Sequence, residues 1–245
     1  MQIGILYRPA HALAQVQMGA GEAVQAESGA MVGMSADVNM TTDAGGFKKG
    51  LKRLLGGESF FRNTFTAPRE GGEVLLAPPL CGDMVVLPVG GAPLDGVVVG
   101  EELGRAAAGS GRGGWFVQAS AYVASTLGVN IDSKLGGFKG FFSGAGAFVL
   151  KAEGQGQVII GGFGALEEVE VKGVLIVDTG HLAAWEVRED LNYKITKATK
   201  GWISSFLSGE GLVCRFEGQG KVWIQTRNSP SFGKMLGGLL PPKKG

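Results

Sequence analysis

Histidine is nearly missing from this sequence: 245 residues contain two, His11 and His181, and neither has a histidine partner two positions on. A cupin-type metal centre needs several His and carboxylate ligands converging on one point. A Ser or Cys nucleophile needs a base beside it. Both kinds of chemistry are short of parts here, so neither a catalytic set nor a metal or cofactor site is expected. Cysteine is equally scarce. Cys81 and Cys214 form no C-x-x-C pattern, and both lie in apolar, strand-like runs. They are expected to be buried free thiols, in keeping with a reducing compartment.

Charge of one sign is lacking too. The 23 basic and 22 acidic residues leave a net charge of +1, which gives no global pull toward nucleic acid or anionic membrane. Nucleic acid is therefore not an expected partner. Long apolar runs are also missing. The longest uncharged stretch, residues 113–131, holds Gln118, Ser120, Ser125, Thr126 and Asn130, and reads as two strands around a turn rather than a membrane helix. The first seventeen residues lack the basic start and apolar stretch of a secretory signal. The expected location is the cytoplasm, with a position peripheral to the inner membrane as the alternative.

What the sequence has in excess is glycine: 44 residues, about 18% of the chain against roughly 7% in average proteins. There is no G-X-Y period, so these glycines are expected at turns and bulges that need positive φ. They mark an internal repeat. Glu153-Gly154-Gln155-Gly156-Gln157-Val158-Ile159-Ile160 matches Glu217-Gly218-Gln219-Gly220-Lys221-Val222-Trp223-Ile224, and Glu70-Gly71-Gly72-Glu73-Val74-Leu75-Leu76 matches both with one residue missing. Each is a polar Gly turn leading into an apolar strand, with Gly156 and Gly220 expected in conformations closed to other residues. A Lys-Gly pair lies upstream in all three (Lys49-Gly50, Lys139-Gly140, Lys200-Gly201), and Val38-Asn39-Met40 matches Val129-Asn130-Ile131. The pattern predicts an all-β fold of three pseudo-symmetric repeats, about 1–90, 91–172 and 173–232, with a few short helical turns and a tail over 233–245.

Several of these segments resemble one known family. They are Ala26-Glu27-Ser28-Gly29-Ala30-Met31, Gly57-Glu58-Ser59-Phe60-Phe61, Leu175-Ile176-Val177-Asp178-Thr179-Gly180-His181 and, most specifically, Gly220-Lys221-Val222-Trp223-Ile224-Gln225-Thr226-Arg227-Asn228. Over nearly its whole length the chain is similar to the altered-inheritance-of-mitochondria proteins and their bacterial and archaeal relatives of unknown function. The resemblance implies three repeats, each like a subunit of the tryptophan RNA-binding attenuation protein, a short double-stranded β-helix or β-sandwich. It carries no catalytic residues across. For the fungal member it implies a link to inner-membrane organisation.

Familiar active-site patterns fail on their surroundings. Gly109-Ser110-Gly111-Arg112-Gly113-Gly114 satisfies G-x-G-x-x-G, but it leads into Trp115-Phe116-Val117, a strand, where a dinucleotide site opens a helix. Glu70, Glu153 and Glu217 recur before Gly and are expected in exposed turns. Two segments suit contact with a partner, a membrane surface or a second copy. One is the basic turn Phe47–Leu55 with Lys48, Lys49, Lys52 and Arg53. The other is the tail with Phe232, Met235, Leu236, Leu239 and Leu240. The function expected is that of a non-catalytic scaffold or interaction protein forming homo-oligomers and meeting a protein partner. A small-ligand-binding β protein is the first alternative, and an RNA binder, by fold analogy alone, the second.

Overall fold

The computed structural model describes residues 1–43, 62–99, 112–132, 148–197 and 212–239. Over these residues the chain is all-β. The strands are β1 (Gln2–Leu6), β2 (Leu13–Met18), β3 (Ala23–Glu27), β4 (Met31–Met34), β5 (Asn39–Asp43), β6 (Arg62–Thr66), β7 (Gly72–Leu76), β8 (Met84–Val89) and β9 (Val97–Val99). They continue with β10 (Trp115–Gln118), β11 (Tyr122–Thr126), β12 (Val129–Asp132), β13 (Val149–Gly154), β14 (Gly156–Gly161), β15 (Leu166–Asp178), β16 (Leu182–Glu186), β17 (Leu191–Lys197) and β18 (Leu212–Gln225), and a helix, α1 (Ser229–Leu239), follows. The alternation of side chains fixes which face is inward. In β2, Ala14, Val16 and Met18 are buried while Gln15 and Gln17 turn outward. In β8 all six residues, Met84 to Val89, are buried, as a strand covered on both faces requires.

Four antiparallel pairings recur in three strand sets. In the first, β7 pairs with β2 and β4, and β6 with β3 and β5. In the second, β14 pairs with β8 and β11, and β13 with β10 and β12. In the third, two long strands replace pairs of shorter ones. Residues 219–225 of β18 pair with β15 and β16, and residues 212–217 pair with β15 and β17. A bulge falls in the same place each time, between Met31 and Gly33, Tyr122 and Ala124, and Leu182 and Ala184. Val74, Val158 and Val222 stand opposite Met34, Ser125 and Trp185 respectively. Grouped by pairing, β8 goes with the second set and the whole of β15 with the third.

The sets are joined by sheet continuation. β3 of the first set pairs with β11 of the second, giving the six-stranded order β5-β6-β3-β11-β14-β8. β10 of the second pairs with β16 of the third, giving β12-β13-β10-β16-β18-β15. The remaining strands of the first set form β4-β7-β2-β1-β9, in which β1 and β9 are parallel. Three apolar clusters fill the spaces between these layers. Ile5, Val16, Phe65 and Leu76 belong to the first, Trp115, Tyr122, Leu150 and Val158 to the second, and Trp185, Cys214, Phe216 and Val222 to the third. Apolar burial of this kind stabilises by roughly 25 cal/mol per Å² removed from water.

Two expectations need correction. Cys81 is exposed; it lies in the loop before β8, not in a strand, while Cys214 is buried. The strained glycine of the third set is Gly218, not Gly220. Gly218 has φ +120°, and a Cβ there would fall on the Asp190 carbonyl; Gly220 keeps ordinary φ, and a Cβ would press only on the end of the Leu191 side chain. In the second set both Gly154 (φ +105°) and Gly156 (φ +152°) lie in the region that favours glycine.

Candidate interaction surfaces

The tail is a helix from residue 229. Its N-terminus is fixed locally: the Asn228 side-chain oxygen accepts from the Ser231 N–H, and the Asn228 carbonyl accepts from the Phe232 N–H. Phe232 sets its ring edge-on to Phe163 at 5.2 Å between centroids, which ties the helix to the β body. Phe232, Met235, Leu236 and Leu239 follow helical i, i+3, i+4, i+7 spacing and share one stripe. No residue of α1 is buried, and Leu239 is 76% exposed. Leu240 lies outside the described residues, as do Lys48, Lys49, Lys52 and Arg53 with the rest of the basic turn.

Several polar groups of the described residues are engaged with one another. Arg8 forks onto Asp83 with contacts of 2.6 and 2.8 Å, and Asp83 is 2% exposed. His181 Nδ1 lies 2.8 Å from the Gln225 carbonyl oxygen. The Gln225 side chain accepts from the Phe163 N–H and donates to the Gly180 carbonyl. His181 thus belongs to a knot of backbone contacts that holds the start of β16 to the end of β18. Among the described residues, no three His, Cys, Asp or Glu side chains gather as a metal would require. Glu153 pairs with Lys151 at 2.6 Å and Glu217 with Arg215 at 3.2 Å, each two residues back on its own strand.

A cleft of about 290 Å³ lies where the second and third sets meet, lined by Arg112, Gly114, Glu186, Arg188, Glu189 and Asp190. Its charges oppose each other at short range. Arg188 donates twice to Asp190 at 2.7 Å, which holds the Asp190 carboxyl below its ordinary range, and Glu186 accepts from the Lys221 N–H at 3.0 Å.

Two strand edges present groups of apolar side chains to solvent, while β5 and β9, also at sheet edges, expose one each, Met40 at 42% and Val98 at 57%. On β4, Met31 is 40%, Val32 59% and Met34 39% exposed; on β15, Val174 is 55% and Ile176 36% exposed. β4 has β7 on one side and, among the described residues, no strand on the other; residues 174–178 of β15 likewise have β18 on one side alone.

Comparison with known proteins fits this all-β chain of strand sets. Residues 3–227 match the family model described as Mitochondrial biogenesis AIM24. The chain belongs to the AIM24 family. An uncharacterised protein of Streptococcus pyogenes serotype M6 is 27% identical to this AIM24 chain over 238 residues, covering 94% of the chain and 87% of that protein. A structural-genomics crystal structure of a Streptococcus pyogenes protein shares the fold. Its TM-score is 0.69 at 23% identity, with 98% of the AIM24 chain and 99% of that chain covered. Among the described residues, no helix of the AIM24 chain is long and apolar enough to cross a membrane.

Of the contact residues expected from the AIM24 sequence, the structure brings Phe232, Met235, Leu236 and Leu239 onto one face. The edges on β4 and β15 were missed. Their sequence signal is weak, because Met31-Val32 reads like Tyr122-Val123, which is buried.

Proposed function

We propose that this AIM24 chain works as a non-enzymatic scaffold that self-associates and meets partners through its surfaces. The observation that carries this is the placing of apolar side chains on the outside. Met31, Val32 and Met34 stand at one end of the strand array, Val174 and Ile176 at the other, and the α1 stripe adds further exposed apolar side chains. Large apolar groups left in water favour association at roughly 1.5–3 kcal/mol per fully covered side chain before ordering costs. The polar groups most suited to chemistry are meanwhile held in pairs: Arg8 with Asp83, Arg188 with Asp190, and Gln225 with two backbone groups.

The alternatives meet specific obstacles. A small-ligand binder would use the cleft beside Arg112, where short-range pairing of Arg188 with Asp190 competes with a guest. An RNA binder needs open aromatic faces for stacking, yet Trp115 and Trp185 are 0% and Trp223 2% exposed. We place the scaffold in the cytoplasm, with a position peripheral to the inner membrane as the alternative. Sedimentation velocity of the full chain at micromolar concentration tests the reading. Species heavier than the 25.3 kDa chain are expected. A monomer over the whole micromolar range would overturn it, as would turnover in a metabolite screen.

A further inference from the structure

Among the described residues, two of the three possible junctions between strand sets are made within the chain, and they have one register. At the first, Ala26 faces Ala124, Gln25 faces Ser125 and Val24 faces Thr126. At the second, Val117 faces Ala184, Phe116 faces Trp185 and Trp115 faces Glu186. The pairings inside each set align these positions. Ala26, Val117 and Val177 face Asn63, Leu150 and Cys214 in turn, and Gly33, Ala124 and Ala184 face Leu75, Ile159 and Trp223. Both junctions therefore join the same position of one set to the same position of the next. The unused ends that correspond are residues 174–178 of β15 and strand β4.

Exposure follows this equivalence. Met31 corresponds to Tyr122 and Leu182, both 1% exposed, and Met34 to Ser125 and Trp185, at 1% and 0%. Ile176 corresponds to Phe116, at 8%, and to Gln25, which is half-buried. These sites are covered where a neighbouring set is present and open where the array stops. The sequence also leaves these two edges unguarded. Free edges are usually blunted by charge, proline or shortness. Residues 166–172 of β15 carry three glutamates, β17 carries Lys194, β8 carries Pro88, β12 ends in Asp132, and β9 is three residues long. Met31–Met34 and residues 174–177 carry neither charge nor proline.

We propose that copies of this chain add head to tail by antiparallel strand pairing, β15 of one copy to β4 of the next, with Val177 opposite Gly33, Ile176 opposite Met34 and Leu175 opposite Ser35. The inference rests on the self-association reading and names its surface. The new sheet would run β17-β18-β15 from one copy into β4-β7-β2-β1-β9 of the next, repeating the order of the two intramolecular sheets. Because the two edges differ, the contact is heterologous, so it gives rings if the rotation closes and filaments if it does not.

The test uses two full-length variants, Met34→Lys and Ile176→Lys, both at exposed positions. Each ruins one edge and keeps the other. Each alone should sediment as a monomer, and an equimolar mixture should give a dimer and nothing larger, since one intact β15 edge meets one intact β4 edge. Far-UV circular dichroism and thermal melting matching the parent chain verify that each variant folds. A parent chain that associates while both variants associate equally well would overturn this junction and leave the self-association reading standing. A mixture of monomeric, folded variants that stays monomeric would also overturn it. A monomeric parent chain would overturn both.

Discussion

Phe116 of β10 lies opposite Trp185 of β16 in the junction between the second and third strand sets, with ring centroids 5.3 Å apart. Trp185 also meets Tyr193 and Phe216 edge-on at 5.3 and 5.8 Å. One tryptophan thus ties a junction to the core of a set. Trp185→Ala is expected to cost about 3–5 kcal/mol, the range for deleting a large buried aromatic. Urea unfolding measures it, and a loss under about 1 kcal/mol would show that this cluster is not a packed core.

The ion pair of Arg8 with Asp83 makes a second prediction. Asp83 is almost fully buried and Arg8 is its fork partner. Arg8→Met leaves a buried carboxylate without that partner, and breaking such a pair typically costs about 3–5 kcal/mol. The double variant Arg8→Met with Asp83→Asn should recover part of the loss. If the single variant melts like the parent chain, the pair is not structural.

Backbone strain separates two glycines two residues apart. Gly218→Ala should destabilise by about 1–3 kcal/mol, because a positive φ and the Asp190 carbonyl both oppose a Cβ. Gly220→Ala should cost less, since its obstacle is a movable leucine end. Equal melting temperatures for the two variants would contradict the turn geometry.

Alkaline pH should weaken the fold through two buried groups. Burial pushes the Cys214 thiol and the Tyr122 hydroxyl up to about 12, from 9.0 and 10.0. Between the ordinary and the folded value the folded state keeps a proton that the unfolded state has lost. Stability contributed by each group is therefore complete below the ordinary value and falls as pH rises toward 12. The limiting slope is about 1.4 kcal/mol per pH unit per group. Denaturant midpoints from pH 8 to 11 measure this, and Cys214→Ala should flatten the curve where the thiol contributes. At pH 8 a maleimide should label exposed Cys81 quickly and Cys214 only on unfolding.

Much of the β architecture was legible because its signals are local. Gly154 and Gly218 stand where the Gly-rich matches placed a turn, and Val158 and Val222 open the apolar stretches after them. The identity of the strained glycine was misplaced by two residues in the third set. There β18 runs through its turn as one long strand, and the tight contact comes from Asp190, far away in sequence. Cys81 was misread because Leu80-Cys81 is apolar like a strand, although the loop turns it outward. The stripe of Phe232, Met235, Leu236 and Leu239 was visible as apolar residues, but Gly233, Gly237 and Gly238 concealed the helix. Edge exposure was illegible in principle. Met34 and Trp185 hold equivalent places, and only the presence or lack of a neighbouring strand decides whether they are covered.

Removal of the tail after Asn228 should leave the melting temperature almost unchanged, since no side chain of α1 is buried and the Phe163 contact is the main tie. Self-association should weaken several-fold without disappearing. Sedimentation identical to that of the full chain would remove the tail from the scaffold surface.

The most direct measurement is a cross-link across the proposed junction. Met34→Cys and Ile176→Cys are placed together in a Cys81→Ser chain, leaving Cys214 buried, and treated with a short bismaleimide at micromolar concentration. Head-to-tail pairing brings the two new thiols opposite one another in neighbouring copies, so the expected result is a ladder of covalent dimers, trimers and higher species, missing from either single-cysteine chain. A product that remains one chain long, whether unlinked or closed on itself, would contradict the account.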